Sequence, residues 1–293
     1  MIPAALRDAV RPRLGPIHGT SPVSGGCISH GVRAETAGGA VFLKHLADAP
    51  PGFFAAEARG LEALRAAAGD ALAVPAVLAH AEPDGDAPAW IALEWLEPAP
   101  AAPDQGRRLG EGLARVHRTG ADAGWGWSAD NFIGPLPQHN APAADWPEFW
   151  RERRLRPALQ RARAAGGDAG ADREWARLLD RLPALLAPAA DDRPSLLHGD
   201  LWSGNVLATA RGPALIDPAV YRGHREVDLA MAELFGGFDA EFHAAYREAW
   251  PLAPGWPARR AAYQLWYLLV HLELFGAAYA PRVAAALTAS GRA

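Results

Sequence analysis

Asp200 and Asn205, five residues apart, and Asp217, twelve further on, are the residues best suited to do chemistry. They lie in Leu196-Leu197-His198-Gly199-Asp200-Leu201-Trp202-Ser203-Gly204-Asn205-Val206-Leu207 and, after a short polar turn, Pro213-Ala214-Leu215-Ile216-Asp217-Pro218. Phosphoryl transfer to a hydroxyl needs this set. One carboxylate accepts the hydroxyl proton, while an amide oxygen and a second carboxylate hold Mg²⁺ on the phosphates of a nucleotide. The apolar residues on either side predict two strand-like runs that present the loop. The competing reading is a hairpin whose loop acids and Asn meet by chance.

A second chemical signal is Lys44. It is the only lysine among 29 basic side chains, the rest being arginine. In so Arg-rich a chain, a lone Lys suggests a site that takes a compact ammonium and not a planar fork. It ends the third of three extended runs: Ile17–Ser24, Cys27–Thr36 and Ala40–Lys44. Gly25-Gly26 separate the first two, and Ala37-Gly38-Gly39 is a hairpin turn signal. The glycine pair would let backbone N–H groups approach phosphate. Phe53 to Ala68 has the apolar spacing of a helix, with Glu57 near its start, placed to pair with Lys44. Val74–His80 and Ala89–Leu93 predict two more strands, and Glu94-Trp95-Leu96-Glu97-Pro98 reads as a hinge whose Glu94 and Leu96 backbone could hold adenine.

Beyond the hinge the pattern is mainly helical: Gly106–Gly120, Trp146–Ala165, Ala171–Leu186, Glu241–Trp250 and Ala258–Ala278, with a further helix starting near Glu226. A short helix is expected near the start, broken at Pro12. His117 reads as a core histidine, Asp228 as a buried acid bonded to backbone N–H groups, and Tyr263, Trp266, Tyr267 and Phe275 as a core stripe. The basic run from Arg151 to Arg154 reads as a solvated helix face. The expected architecture is α/β with two lobes. Residues 1–96 form a small antiparallel sheet and helix that cover a nucleotide, and residues 97–293 form a mostly helical lobe with the reactive loop and an acceptor site.

Composition narrows the function class. A chain of 293 residues, half of them hydrophobic and 21% charged, can bury a substantial core. A net charge of −4 gives no general drive toward nucleic acid or anionic membrane. No apolar run approaches a membrane span and the start lacks a signal-peptide pattern, so a cytoplasmic protein is expected. The single cysteine, Cys27, rules out an intrachain disulfide. Its place beside Gly25-Gly26 makes it a redox candidate, giving a monomer or a redox-dependent homodimer.

The motifs together resemble the fructosamine kinase (ketosamine-3-kinase) family. The resemblance rests on Val23-Ser24-Gly25-Gly26-Cys27-Ile28, Phe42-Leu43-Lys44, Phe54-x2-Glu57-Ala58-x-Gly60-Leu61, the His198–Asn205 stretch, Asp130–Gly134, Gln138-x-Asn140 and the run from Asp217 to Ala230. Asn131-Phe132 depart from the residues many members carry. The resemblance implies a protein-kinase-like fold that uses ATP and Mg²⁺ to phosphorylate the 3-hydroxyl of ketosamines, the adducts of sugars with small amines or protein. It implies Asp200 as the base, Asn205 and Asp217 as Mg²⁺ ligands, Lys44 on phosphate with Glu57 positioning it, and Trp202, His224 and Glu226 near the acceptor. An aminoglycoside- or choline-type phosphotransferase is the alternative on the same fold, and a catalytically silent nucleotide-binding module the alternative of another class.

Overall fold

The computed structural model describes residues 2–23, 29–120, 123–187 and 193–291. The chain opens with α1 (Ala4–Leu14), β1 (Ile17–Pro22), β2 (His30–Thr36), β3 (Gly39–Leu46), α2 (Phe53–Ala68), β4 (Val77–Ala81) and β5 (Ala89–Glu94). The five strands form one antiparallel sheet in the order β1-β2-β3-β5-β4. Alternation along the strands assigns its two faces. Val41 and Leu43 turn toward α1 and pack with Leu6, Val10, Val32, Trp90 and Ala92. Phe42, Ile91 and Leu93 turn the other way, toward α2. Lys44 shares the parity of Phe42 and therefore faces α2. Pro12 does not break α1, which runs on for one more short stretch to Gly15.

The second lobe contains α3 (Gln105–His117), β6 (Asn131–Ile133), β7 (Leu136–Gln138), α4 (Trp146–Phe149), a π-helical turn (Trp150–Leu155), α5 (Arg156–Ala164) and α6 (Asp172–Leu186). β8 (Ser195–Leu197), a 3-10 turn (Ser203–Asn205), β9 (Val206–Thr209), β10 (Gly212–Leu215) and β11 (Tyr221–Gly223) follow. The chain ends with α7 (Glu226–Phe235), α8 (Ala240–Ala249), α9 (Trp256–Phe275) and α10 (Ala280–Gly291). β8 pairs with β11, and β9 with β10. α9 is the axis of the lobe, its Tyr263, Trp266, Tyr267 and Leu269 buried against Phe149, Trp150 and Val227.

A further core crosses between the lobes. Phe54, Leu61 and Leu64 of α2 join Leu109 and Leu113 of α3, Leu201, Leu215 and Phe242 in one apolar cluster. One stretch of backbone pairing adds to it. Ala73 bridges Ala214 in parallel, with Ala73 N donating to Pro213 O and Leu215 N to Ala73 O at 3.0 and 2.9 Å. Just inside the second lobe Pro98 bridges Thr209, with Ala99 N donating to Ala208 O at 3.0 Å.

Besides the break at Pro12, two sequence expectations fail here, and one helix goes unpredicted. Arg154 is not on a solvated face: the π-helical turn points it inward, its guanidinium 3.9 Å from the Tyr221 ring centre and 4.7 Å from that of Phe149. Such a turn widens the helix by one residue and moves side chains off the face that a 3.6-residue period assigns them. Phe275 ends the predicted stripe but is exposed, because α9 stops beside it at Gly276. α10 has no strong apolar stripe in the sequence and is held by Val283 and Leu287 in the α9 core.

Candidate active site

β8 delivers the 198–205 loop and β10 delivers Asp217, and the local backbone explains the residues between. Gly199 has φ +83°, and a Cβ there would lie 2.0 Å from Ala219 O. Only glycine fits. Asp217 is itself in the left-handed region at φ 52°, the one non-glycine there among the described residues. That conformation costs on the order of 1 kcal/mol and persists where surrounding bonds over-determine it.

Those bonds are visible. The Asp228 carboxylate accepts from His198 N at 2.7 Å and Gly199 N at 2.9 Å, and lies 3.0 Å from His117 Nε2. His198 Nδ1 accepts from Asp200 N at 3.2 Å, which leaves Nε2 to donate to Ile216 O at 2.9 Å. One neutral imidazole thereby ties the Asp200 loop to the residue before Asp217, and burial holds its pKa below the usual value. Tyr267 donates its hydroxyl to Gly199 O at 2.8 Å. The sequence assigned Tyr267 to packing alone, and helical spacing carries no sign of its hydroxyl's reach.

Asn205 joins the two acids. Its Nδ2 donates to Asp200 O at 2.9 Å, and lies 3.2 Å from Asp200 Oδ2 and 3.4 Å from Asp217 O. Its backbone O accepts from Ile216 N at 3.1 Å. Burial raises the Asp200 carboxyl to about 7, with Asp217 and Asp228 adding to the effect and the Asn205 amide opposing it. A carboxylate with such a pKa is matched to taking a proton near neutral pH.

Lys44 completes the cleft. Its Nζ is 2.8 Å from Glu57 Oε1 and 3.0 Å from Asp217 Oδ1, so one ammonium links the sheet, α2 and the end of β10. Burial alone would depress this lysine, but Asp217 and Glu57 outweigh it and raise its pKa. It is therefore a fixed positive charge.

Other predicted residues fare differently. Trp202 is 36% exposed, and its ring lies over Gly204, where a Cβ would sit 2.2 Å away. Leu96 is buried. Glu94 N donates to Ala76 O at 2.8 Å, and the Glu94 carboxylate accepts from Ala76 N and pairs with Arg65 and Arg211. Gly25, Gly26 and Cys27 lie outside the described residues. His224 and Glu226 are both buried. Glu226 is 0% exposed and held by Arg259 through Nε and Nη2 at 2.8 and 2.7 Å, and His224 stacks on Tyr263. A buried acid needs a paired cation, and Arg259 supplies it from α9, too far along the chain for local spacing to reveal. His117 is a core histidine as expected, 2.7 Å from the Tyr246 hydroxyl.

Asn205 and Asp217 fit a magnesium ion by donor chemistry. With the Asn205 amide nitrogen turned to Asp200, its Oδ1 and the Asp217 carboxylate are hard oxygen donors. Among the described residues no group of three or more His, Cys, Asp or Glu could hold a metal unaided. An ion held by Asn205 and Asp217 would take its remaining ligands from phosphates and water.

Comparison with known proteins agrees with this geometry. The fructosamine kinase family model matches residues 7–290. The probable ketoamine kinase of Synechocystis sp. is 39% identical over 258 residues, 88% of this chain and 85% of its own. The chloroplastic protein-ribulosamine 3-kinase of Oryza sativa subsp. indica is 36% identical over 265 residues, 90% of this chain and 76% of its own. A Thermobifida fusca crystal structure, named as that of a putative fructosamine-3-kinase, superposes with TM-score 0.84 at 39% identity, covering 98% of this chain and 99% of the other. An aminoglycoside phosphotransferase crystallised with ADP and hygromycin B shares the fold alone, with TM-score 0.65 at 18% identity over 98% and 99% of the two chains. Family model, relatives and cleft geometry converge: the chain belongs to the fructosamine kinase family.

Proposed function

We propose that the protein is an ATP-dependent kinase that phosphorylates the 3-hydroxyl of ketosamines of the fructosamine or ribulosamine type, carried on small amines or on protein. The observation that carries this reading is the linked set itself: Lys44 between Glu57 and Asp217, and Asn205 between Asp217 and Asp200.

In this reading Lys44 holds the nucleotide phosphates, and the hinge takes the adenine through the Glu94 carbonyl and Leu96 backbone. Gly25 and Gly26 would cover the phosphates. The division of labour falls at residues 96 and 97, with the nucleotide under the N-lobe and the acceptor on the C-lobe. Trp202 offers an open apolar wall to the acceptor. Asn205 and Asp217 would hold Mg²⁺, which when bound neutralises phosphate charge. Asp200 accepts the proton of the 3-hydroxyl. The oxygen then bonds to the γ-phosphorus as the bond from that phosphorus to the β–γ bridging oxygen breaks, and ADP leaves with the electron pair. His198 and Asp228 hold Asp200 in place throughout. Among the described residues no helix is long and apolar enough to cross a membrane, and we place the reaction in the cytoplasm.

The test is turnover of ATP with a panel of ribulosamines, fructosamines, choline and aminoglycosides, for wild type and Asp200→Asn. The expected result is phosphorylation of ketosamines by wild type. Asp200→Asn should lose activity by ~10²–10⁴-fold while Mg·ATP affinity measured by calorimetry is nearly kept. Preferred turnover of choline or an aminoglycoside would overturn the acceptor assignment, and a variant retaining more than about a tenth of wild-type kcat would overturn the role of Asp200.

A further inference from the structure

The β6–β7 hairpin belongs to the C-lobe, yet its central aromatic residue touches the N-lobe helix that carries Glu57. β6 is three residues long, and the period of two turns Asn131 and Ile133 inward and Phe132 outward. The Phe132 ring meets Phe53, the first residue of α2, at 5.1 Å between centres, and Phe53 in turn packs edge-on to Phe54.

The inward residue is anchored by a buried polar chain. Asn131 Nδ2 donates to Val220 O at 2.7 Å. Asn131 Oδ1 accepts from Gln138 Nε2 and from Asn140 Nδ2, each at 2.7 Å, and Gln138 also reaches Ala219 O. Arg154 closes the chain, donating to Asn140 Oδ1 at 2.7 Å and His139 O at 2.6 Å. Ala219 and Val220 directly follow Asp217-Pro218. The hairpin is thus fixed to the segment that carries Asp217.

Besides the apolar cluster that Phe54, Leu61 and Leu64 share with the C-lobe, α2 rests on it at Gly60. A Cβ on Gly60 would lie 3.2 Å from Val220 Cγ2, and Val220 is the residue whose carbonyl Asn131 holds. Phe53, Glu57 and Gly60 follow i, i+4, i+7 spacing and so share one face of the helix. Glu57 lies between the two resting points. The distance that matters, Glu57 to Lys44 at 2.8 Å, depends on how α2 is seated.

We propose that Phe132 is a positioning residue for phosphoryl transfer. Seated by Asn131 and pressed against Phe53, it holds the first turn of α2 on the C-lobe so that Glu57 keeps Lys44 on the nucleotide. It touches helix, not acceptor. This rests on the kinase reading above, and it assigns the Asn131-Phe132 departure a role in joining the lobes and not in choosing the substrate.

The experiment measures Mg·ATP affinity by calorimetry, both KM values and kcat with a ribulosamine, and Tm. The proteins are wild type, Phe132→Ala, Phe132→Leu, Phe53→Ala, Glu57→Gln and Phe132→Ala combined with Glu57→Gln. Phe132→Ala should lower kcat by about tenfold and weaken Mg·ATP severalfold, a size typical of residues coupled to a site through packing. Acceptor KM should move less than about twofold. Phe53→Ala should match it and Phe132→Leu should recover most of the loss. In the Glu57→Gln background Phe132→Ala should have little further effect, because the ion pair it seats is already gone. Additive losses in the double variant would overturn the proposal, as would a raised acceptor KM at unchanged kcat. Loss of kcat with an unchanged response to Phe132→Leu and a matching fall in Tm would also overturn it. Wild type that binds Mg·ATP but turns over no ketosamine would sink the acceptor assignment alone, and the calorimetric coupling of Phe132 to Glu57 would still decide this one.

Discussion

Asp228→Asn is the sharpest test of how the reactive loop is held. Asp228 Oδ1 accepts from Gly199 N, while Oδ2 accepts from His198 N and faces His117 Nε2. An amide has one oxygen. If its nitrogen replaces Oδ1, it confronts the N–H of Gly199. If it replaces Oδ2, it confronts the N–H of His198, although His117 can change tautomer to accept. Either way at least one buried backbone N–H loses a charge-assisted bond, which costs about 1.5–3 kcal/mol. An unfolding entropy of ~2.1 cal/mol/K per residue gives ~0.6 kcal/mol/K for this chain, so Tm should fall by about 2–5 °C. The catalytic effect should be larger than the stability effect. The lost bond is at or next to Gly199, the neighbour of Asp200, and a misplaced reacting group can cost about 10²-fold. Calorimetric unfolding and steady-state kinetics on the folded variant read both. Unchanged Tm together with unchanged kcat would refute the claim that Asp228 holds the loop.

Lys44→Arg should be poorly active although the charge is kept, because the ammonium fits between Glu57 and Asp217 as a point charge and a planar fork does not; kcat near wild type would count against it. Glu226→Ala should destabilise the fold by about 3–5 kcal/mol, as breaking a buried ion pair removes the carboxylate from a buried guanidinium, without changing acceptor KM; a raised KM would instead place Glu226 at the acceptor site. The part of the stability that depends on His117 should fall in mild acid. Burial holds His117 below its usual value near 6.5, so from about 6.5 downward the unfolded chain binds a proton that the native state refuses. Stability is then lost at up to ~1.4 kcal/mol per pH unit until the folded pKa is reached. Tm measured between about pH 7.5 and about 5.5 should fall less steeply in His117→Gln, whose amide can serve both Tyr246 and Asp228.

The parts of the site legible in the sequence were those set by short-range spacing. His198, Gly199, Asp200 and Asn205 lie on one loop, and strand alternation alone puts Lys44 on the face toward α2. α2 itself was bounded from its apolar period, Phe53 to Ala68. Residues whose roles depend on distant partners were not legible in this way. Glu226 reads as the start of a helix, and no local pattern marks its ion pair with Arg259 of α9. Arg154 reads as solvated because it lies in a basic run, and nothing local marks the π-helical turn that points it inward. Tyr267 looked like packing because only the fold brings its hydroxyl to Gly199. Each case turns on a contact between segments that no local pattern encodes.

The Ala73–Ala214 bridge, together with the chain crossing that follows β5, bears on how the enzyme breathes. Two rigid bodies joined at one point can swivel freely, whereas bodies joined at two places are left mainly with rotation about the line through both. Cleft opening in this protein is therefore a door on two hinges, and the shared apolar cluster at the back limits its swing. Amide exchange offers a direct view of it. The N–H of Leu215, bonded across to Ala73, should stay protected while the cleft opens and closes and should exchange only when the lobes come apart, whereas that of Ala99, bonded to Ala208 inside the second lobe, should follow that lobe's own unfolding.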